Sequence, residues 1–519
     1  MSPVIARARS RFAGRRLSFA RLVVSAVVAV ALSGGVAAVA VLPTLPPPVD
    51  GTPTADRWFA GYYDVTLDSG DQLARSAMSE GPGGVVLAFV VAAGDDDCTP
   101  TWGKAYSLDD AAERFQLDRR VERVRREGRP LAVSFGGAAN SELALACDSV
   151  SALVDAYREV MDRYGADVMD LDIEGDALDD AAATARRNAA VAQLQQERTA
   201  AGRPLDVWLT LPVAPDGLTD RGLTQITEMM NAGVTLAGVN AMTMDFNADD
   251  RSVSTSDLAI GALRQTAAQV ADVWRGAGRD LPPGGALALL GATPMIGQSD
   301  IEHEVFTLDD ARALEAFTTE VGVARMSLWS LNRDRTCGSN YPRPRVVSTS
   351  CSGVEQAGES FAGILGADRD GTPAGRTAPQ EDWPMIADDA DTSPFPVWSS
   401  QSFYSAGVFV VWHGSVYVAK WWNEDGAVPD DPTLDAAASA WTYVGPVLAD
   451  DVPFALPELP AGTYPDWNVD ALYNQGDRVL YDGSGYEARW WSRGQRPDRS
   501  VLDRDYSPWK LIEAPAEAP

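Results

Sequence analysis

Apolar, β-rich runs alternate with amphipathic helical segments eight times between residues 54 and 365. This alternation is typical of parallel strands joined by crossover helices, and eight repeats close into a (β/α)8 TIM barrel. The runs predict strands at 58–64, 85–92, 131–137, 168–174, 207–213, 237–246, 286–295 and 325–331. The amphipathic segments predict helices that include 108–127, 149–164, 178–201, 220–232 and 256–276. In such a barrel, the reactive side chains lie at the C-terminal ends of the strands.

The fourth predicted strand ends in a row of acidic residues. Side chains alternate across a strand, so Asp170, Asp172 and Glu174 share one face while Leu171 and Ile173 share the other. Unpaired charge is costly to bury in an apolar core, so the three carboxylates should face a polar cavity. There, mutual repulsion raises at least one pKa and keeps that group protonated near neutral pH, as a general acid requires.

Two plainer explanations of this row are a polar edge strand and a divalent-metal site. The alternating apolar residues Leu171 and Ile173 look like a strand covered on both sides, which disfavours both explanations. Asp167 lies an odd number of residues from the others, so we expect it to face away from the cavity in a structural role.

The composition excludes several function classes. The formal net charge of −30 disfavours nucleic acid or an anionic membrane as a partner. The two histidines, His303 and His413, are too few and too scattered for a zinc site or a Ser-His-Asp triad. We therefore expect carboxylate-based catalysis by a monomer, with no metal and no cofactor.

The N-terminus predicts export. Residues 1–21 carry six arginines and no acidic residue, and residues 22–42 form an apolar run. This pattern resembles a long secretory signal, although about 20 apolar residues could equally remain as a membrane anchor. We expect a secreted protein, or one anchored to the outer face of the cell membrane.

Four cysteines fit such an oxidising compartment. We expect disulfides between Cys98 and Cys147 and between Cys337 and Cys351, although four cysteines permit three connectivities.

Beyond residue 366 the sequence contains an internal repeat. The segment Tyr417–Trp422 recurs as Tyr486–Trp491, at an offset of 69 residues, and each copy spans about 50 residues with turn glycines. We predict a signal peptide or anchor at 1–42, a linker at 43–53, the barrel at 54–365, a linker at 366–395, one small all-β module at 396–447, a linker at 448–463 and a second module at 464–513.

Nine of the 15 tryptophans fall in the two small copies. Units of this size cannot bury all of them, so some indole rings should be exposed and free to stack on sugar rings. The alternative is that these residues form the small cores. A repeated aromatic module favours avidity on an extended polysaccharide. The expected binding residues are Trp398, Trp421, Trp422, Trp467, Trp490 and Trp491.

The segment Asp167–Glu174 fits the DxxDxDxE signature of family 18 glycoside hydrolases without a gap. The likeness extends over the barrel: Ser134–Gly137 resembles that family's SxGG, Asn240–Asp245 its strand-six segment, and Trp329 its strand-eight tryptophan. The segment Thr293–Gly297 is also similar to bacterial chitinases. The C-terminal copies look like the chitin-binding modules of families 5 and 12.

This resemblance implies retaining, substrate-assisted hydrolysis of β-1,4-linked N-acetylglucosamine. Glu174 would be the general acid, Asp172 would orient the substrate acetamide, and Asp170 would share a proton with Asp172. Asp245 would hydrogen-bond near the acetamide or Glu174, and Trp329 would form the floor of the pocket. The partner would be chitin or its oligosaccharides.

The sequence departs from the family at one position. The family usually carries a tyrosine beside the strand-six aspartate, but here Met244 and Phe246 flank Asp245 and neither can donate a hydrogen bond. We expect Tyr62, Asn240 or Gln298 to substitute, with Met244 lining the site. Tyr63 is a further candidate.

Two other functions compete with an endo-acting chitinase. A non-catalytic, lectin-like barrel would bind chitin without cleaving it, but such barrels typically lose the acid that Glu174 supplies. An endo-N-acetylglucosaminidase would share the fold, and the tandem modules favour an insoluble polymer instead. The short span between Gly297 and Arg325 favours an open groove and endo cleavage.

Overall fold

The computed structural model describes residues 57–67, 83–248, 250–341, 346–373, 387–423 and 426–512. Its barrel consists of eight parallel strands: β1 (Trp58–Asp64), β2 (Gly84–Gly94), β3 (Leu131–Gly136), β4 (Val168–Asp172), β5 (Asp206–Ala214), β6 (Leu236–Met242), β7 (Leu290–Thr293) and β8 (Arg325–Met326). Each strand pairs with its sequence neighbours, and β1 pairs with both β2 and β8, which closes the sheet. The predicted (β/α)8 TIM barrel is confirmed.

Helices cover the outside of the barrel. They are α1 (Leu108–Phe115), α2 (Leu117–Arg126), α3 (Leu143–Ala146), α4 (Val150–Arg163), α5 (Ala181–Ala200), α6 (Asp220–Asn231), α7 (Thr255–Gly276), α8 (Leu308–Val321) and α9 (Phe361–Leu365). Their starts follow local chemistry: Ser149 and Thr307, for example, accept hydrogen bonds from backbone N–H groups at the N-termini of α4 and α8.

The helix predicted at 108–127 is two helices. Gln116 takes a left-handed conformation with φ of 51° and ends α1, after which α2 begins at Leu117. An additional strand that the sequence did not predict, Asp97–Trp102, pairs antiparallel with the C-terminal part of β2 and forms a hairpin with it.

Four predicted strands were too long at their C-terminal ends by two or more residues. Regular pairing stops at Asp172 in β4, at Met242 in β6, at Thr293 in β7 and at Met326 in β8. The prediction at 286–295 was also wrong at its start, where residues 285–289 form a 3₁₀ turn. Beyond these ends the chain keeps single hydrogen bonds to the neighbouring strands, such as those from Ile173 to Thr210 and from Thr243 to Thr293, so its sequence still looks β-rich where the regular ladder has stopped.

The alternation in β4 places the acidic row on the inner face. Leu171 and Ile173 are fully buried in the layer between the barrel and its helices. Asp170 and Asp172 project the other way, into the barrel interior, where Tyr62 and Trp208 belong to a separate inner cluster. As predicted, Asp167 points outward, and it forms an ion pair with Arg198 of α5.

Both expected disulfides are present. Cys98 pairs with Cys147 and Cys337 with Cys351, at Cα–Cα distances of 4.6 and 5.0 Å. The first bond ties the hairpin after β2 to the residue that ends α3, and the second closes the loop after β8.

Two small β modules follow the barrel. The strands of the first are β9 (Phe409–Trp412), β10 (Ser415–Ala419) and β11 (Trp441–Pro446), and those of the second are β12 (Leu472–Tyr473), β13 (Arg478–Tyr481), β14 (Ser484–Ala488), β15 (Ser492–Arg493) and β16 (Trp509–Leu511). Their cores match: Tyr404 meets Trp441, and Tyr473 meets Trp509, in each case edge-on at 5.0 Å between ring centroids.

The first module is fixed to the barrel through α2. Arg119 makes a bidentate ion pair with Asp451 at 2.7 and 2.9 Å and also donates to the Pro446 carbonyl. Arg123 donates to the Tyr443 carbonyl, with its guanidinium 4.7 Å from the centre of that ring. A Cβ at Gly445 would lie 2.3 Å from the Arg119 carbonyl oxygen, so only glycine permits this close approach.

The predicted N-terminal segment 1–42, the linker 43–53 and part of the linker 366–395 lie outside the described residues. Among the helices that the structure describes, none is both long and apolar enough to cross a membrane.

Candidate active site

Asp170 is the most enclosed member of the acidic row. It has no exposed surface and accepts hydrogen bonds from Tyr62, Ser134 and Thr210 at 2.7–2.8 Å. The Arg325 guanidinium, also fully buried, completes the set with a 2.5 Å ion pair. A buried carboxyl group is tolerated only when it is paired and hydrogen-bonded, and this network supplies both for Asp170. The proton that we expect Asp170 to share with Asp172 stays a prediction, and the geometry adds that Asp170 has four donors of its own.

Asp172 is buried beside this network, but it is poorly satisfied. Its Oδ1 atom has no hydrogen-bond partner among the described residues. Burial raises the pKa of Asp172 well above its ordinary value, and the neighbouring charges of Glu174 and Asp170 raise it further, while Arg325 opposes them. An orphaned, buried carboxyl oxygen suits a group that must accept a hydrogen bond from a bound molecule.

Glu174 lies two residues beyond the end of β4, where the chain enters a 3₁₀ turn at Gly175–Leu178. Its carboxyl is partly buried, and no described residue donates a side-chain hydrogen bond to it. Burial, reinforced by the charge of Asp245, raises the pKa of Glu174 to about 7. A carboxyl that holds a proton near neutral pH at the mouth of a barrel can act as a general acid and then as a base.

Asp245 reaches the site from the loop after β6. The loop bends sharply, with positive φ values of 53° at Asp245 and 48° at Asn247. Buried Glu304 holds this bend by accepting hydrogen bonds from the backbone N–H groups of Phe246 and Asn247. Ser299 donates its hydroxyl to the Asp245 carboxylate. The bend thus fixes Asp245 within electrostatic range of Glu174.

An aromatic wall borders the acidic row. Trp329, which follows β8, stacks on Phe89 of β2 with ring centroids 5.3 Å apart and planes inclined by 27°. Its edge also approaches Tyr62 at 6.2 Å. Trp329, Phe89 and Met244 are each half-buried, so part of each side chain is open to solvent. This wall offers a flat apolar face next to the carboxylates.

The four proposed substitutes for the missing tyrosine are already engaged or point elsewhere. Tyr63 is buried in the layer between the barrel and its helices, where Arg120 donates to its hydroxyl. The Tyr62 hydroxyl donates to Asp170, the Asn240 amide donates to Tyr62, Thr210 and Thr293, and both side chains are buried. Gln298 donates to backbone carbonyls of its own loop, including that of Glu304. The expectation that these residues donate to a substrate was therefore wrong; they support the carboxylates and the loop.

Three residues of the site escaped the sequence reasoning. Arg325 and Thr210 hold Asp170, and Phe89 completes the aromatic wall. Arginine at the start of a buried apolar strand was the available signal for the first, because an unpaired arginine could not remain there. Thr210 and Phe89 lie within apolar strands, and neither residue type indicates a functional role in such a position.

The described residues contain no group of three or more His, Cys, Asp or Glu side chains arranged to hold a metal ion.

The module tryptophans separate into two classes. Trp421, Trp490 and Trp491 are 45%, 42% and 59% exposed, as expected for a binding surface. The aligned residues Lys420 and Arg489 each place a cation over the ring that follows. Trp422 is half-buried.

Two expected binding residues instead belong to the small cores. Trp398 is buried edge-on against Trp412 at 4.7 Å, and half-buried Trp467 packs edge-on against Tyr481 at 5.4 Å. Each begins its module next to the first long strand, where packing takes the ring away from solvent.

Both the barrel region and the C-terminal modules are similar to parts of known proteins. Residues 466–510 match carbohydrate-binding module family 5/12. The chain is 34% identical over 285 residues to a probable bifunctional chitinase/lysozyme of Escherichia coli (strain K12), a match that covers 54% of this chain and 31% of that protein. It is 33% identical over 279 residues to endochitinase 11 of Metarhizium anisopliae, covering 53% of this chain and 52% of that protein.

Among solved structures, the catalytic domain of a hyperthermophilic chitinase from Pyrococcus furiosus aligns with 24% identity and a TM-score of 0.48, over 61% of this chain and 95% of that one. The matches span 31% and 52% of the length of the two curated relatives. The sequence relatives confirm the resemblance that the acidic row and the repeated modules indicated.

Proposed function

We propose that this chain is a secreted chitinase that hydrolyses β-1,4 linkages between N-acetylglucosamine residues with retention of configuration. The observation that carries the proposal is Glu174, a carboxyl with a pKa of about 7 at the mouth of the barrel. The names of the two curated relatives, a chitinase/lysozyme and an endochitinase, support the same substrate class. The match to family 5/12 modules supports chitin as the polymer that the C-terminal region binds.

The chemistry follows from the acidic row. Glu174 donates its proton to the glycosidic oxygen as the bond to the anomeric carbon breaks. The acetamido carbonyl oxygen of the substrate attacks that carbon and replaces an enzyme nucleophile. The product is a positively charged oxazolinium ring and a free leaving sugar. Glu174, now a carboxylate, then takes a proton from the water that opens this ring.

Asp172 and Asp170 have different tasks in this scheme. Asp172 accepts a hydrogen bond from the acetamide N–H through its unpartnered Oδ1 and stabilises the positive ring. Asp170, anchored by Arg325, fixes the position of the strand that carries Asp172. Trp329 and Phe89 support the apolar face of the sugar that reacts.

Secretion and endo action are parts of the same proposal. Secretion is supported by the basic, then apolar, N-terminal sequence and by the two disulfides. N-terminal sequencing of the mature protein tests whether the segment 1–42 is removed. Endo action is supported by the short path from Gln298 to Arg325, which consists mainly of α8. Mixed product lengths from a soluble oligosaccharide would support it, and disaccharides alone would contradict it.

Release of reducing ends from chitin by the purified chain tests the activity. Glu174→Gln should lower the rate by about 10²–10⁴-fold, because it removes the transferable proton while keeping the shape. Asp176→Asn is the matched control: it neutralises an exposed acid two residues further along and should leave the rate unchanged. A wild-type chain that binds chitin but releases no reducing ends would contradict the proposal and favour a lectin.

A further inference from the structure

The two C-terminal modules are in direct contact with each other. The backbone N–H of Ser405 in the first module donates to the Leu502 carbonyl of the second at 2.9 Å. The Asp505 N–H donates to the Ser405 hydroxyl at 3.1 Å, and Ser405 itself is buried. The Leu502 side chain packs against the core of the first module. The modules therefore form one tandem unit instead of two separate domains.

This contact brings an aromatic residue of the second module to the tryptophan pair of the first. Tyr506 meets Trp422 with ring centroids 5.3 Å apart and planes inclined by 66°. Trp422 is supported from behind by Phe403, which stacks almost parallel to it, with planes inclined by 6°. Tyr506 remains 65% exposed, and neighbouring Trp421 is 45% exposed. The rings form an open, angled notch across the boundary between the modules.

The repeat does not explain Tyr506. Residues 437 and 438, at the corresponding positions of the first module, are both alanine. The counterpart of Phe403 is Leu472, which is 53% exposed, and no ring contact of Trp491 is found within the described part of the chain. The notch thus exists once, at the junction, and requires residues from both modules.

We propose that Trp422 and Tyr506 form a sugar-binding site shared by the two modules, with a ring of an N-acetylglucosamine chain lying on the exposed face of Tyr506. The proposal rests on the proposed function, since it takes chitin as the polymer. Flat exposed aromatic faces attract the apolar faces of sugars, and a site that spans the junction joins the surfaces of both modules into one track. A chain bound along this track would contact both modules at once.

Depletion of the whole chain by insoluble chitin tests the junction. Tyr506→Ala should weaken binding about tenfold, a typical loss for an exposed aromatic contact residue. Tyr464→Ala is the matched control, because this tyrosine of the same module packs against Arg478 instead. Tyr506→Trp should preserve binding, whereas Tyr506→Leu, which fills space without a flat ring, should not.

A double-mutant cycle separates a shared site from two independent ones. If Trp422 and Tyr506 hold the same sugar, Trp422→Ala should cost less affinity in the Tyr506→Ala background than in the wild type. Binding by Tyr506→Ala or Tyr506→Leu that equals that of the Tyr464→Ala control would overturn the junction site while leaving the proposed function intact. A wild-type chain that does not bind chitin at all would overturn both.

Discussion

Most proteins bury apolar side chains and expose charged ones, and the barrel and the small modules depart from this pattern in opposite ways. The barrel buries charge: Asp170, Asp172 and Arg325 are at most 4% exposed. The modules expose large rings, with Trp490 and Trp491 about half open to solvent. Neither arrangement is expected from folding alone, since burying charge and exposing aromatic surface both reduce stability.

The comparison teaches that each region loses stability for the sake of a different interaction. In the acidic row, the cost of burying Asp170 is offset internally, because Arg325 and three hydroxyl groups satisfy it, whereas the Oδ1 atom of Asp172 has no partner among the described residues. In the modules, Lys420 and Arg489 lie over the rings of Trp421 and Trp490, but both rings and that of Trp491 keep 42–59% of their surface open to solvent. Substitutions that remove the buried charges of the barrel or the exposed rings of the modules therefore test this comparison directly.

The largest expected effect concerns the internal compensation in the barrel. Arg325→Met should lower the free energy of unfolding by about 3–5 kcal/mol, because it leaves the carboxylate of Asp170 buried and unpaired. Arg312→Met, which removes an exposed ion pair with Glu359, should cost less than about 1 kcal/mol. Urea unfolding of both variants measures the difference. Equal losses would show that the buried pair adds nothing special to the barrel.

A smaller effect, of opposite sign, is expected at Glu174. Its folded pKa of about 7 exceeds the ordinary value of 4.5, so the folded state binds the proton more tightly than the unfolded chain. Wild-type stability should therefore fall as pH rises from about 4.5 to 7. Glu174→Gln does not titrate and should be more stable than wild type above pH 7, by at most about 3 kcal/mol.

Urea unfolding of Glu174→Gln and wild type at about pH 4 and pH 8 checks this sign. The two proteins should differ little at the lower pH, where both side chains are neutral. A variant that is less stable than wild type at the higher pH would contradict the raised pKa.

The smallest effect is expected in the modules. Trp491→Ala should weaken binding to insoluble chitin about tenfold, or about 1.4 kcal/mol, with an unchanged unfolding temperature, because its ring is 59% exposed. Leu472→Ala removes a similarly exposed apolar side chain from the same module and serves as the control. Unchanged binding by Trp491→Ala, or a loss shared with Leu472→Ala, would break the distinction between the two regions.

The central part of the site could be predicted because it is local in sequence. The alternation in β4 alone places Asp170 and Asp172 inside the barrel and Leu171 outside. The partners of these carboxylates could not be predicted in the same way. Arg325 lies 155 residues from Asp170, and only closure of the barrel brings them together. Tyr62 was expected to serve a substrate, but a sequence does not rank the acceptors that compete for one hydroxyl.

The predictions of element boundaries and of side-chain exposure failed for related reasons. The break at Gln116 depends on a left-handed conformation that this residue type rarely takes, so helical periodicity continued across it. In the modules, Trp398 and Trp491 belong to the same aromatic-rich repeat, and composition treats them alike. Their positions differ because Trp398 packs beside β9, whereas Trp491 lies after the last residue of β14.

The attachment of the first module to α2, through the hydrogen bonds from Arg119 to Pro446 and from Arg123 to Tyr443, has a mechanical consequence. A module that is fixed to the barrel wall cannot move independently of the barrel. If this module binds chitin as proposed, its bound orientation also sets the angle at which the barrel mouth meets the polymer surface. The distance between the bound module and the barrel mouth is then set by the fixed arrangement of the two domains and not by the length of a flexible linker. Movement to a new stretch of polymer would then require the whole molecule to dissociate and bind again.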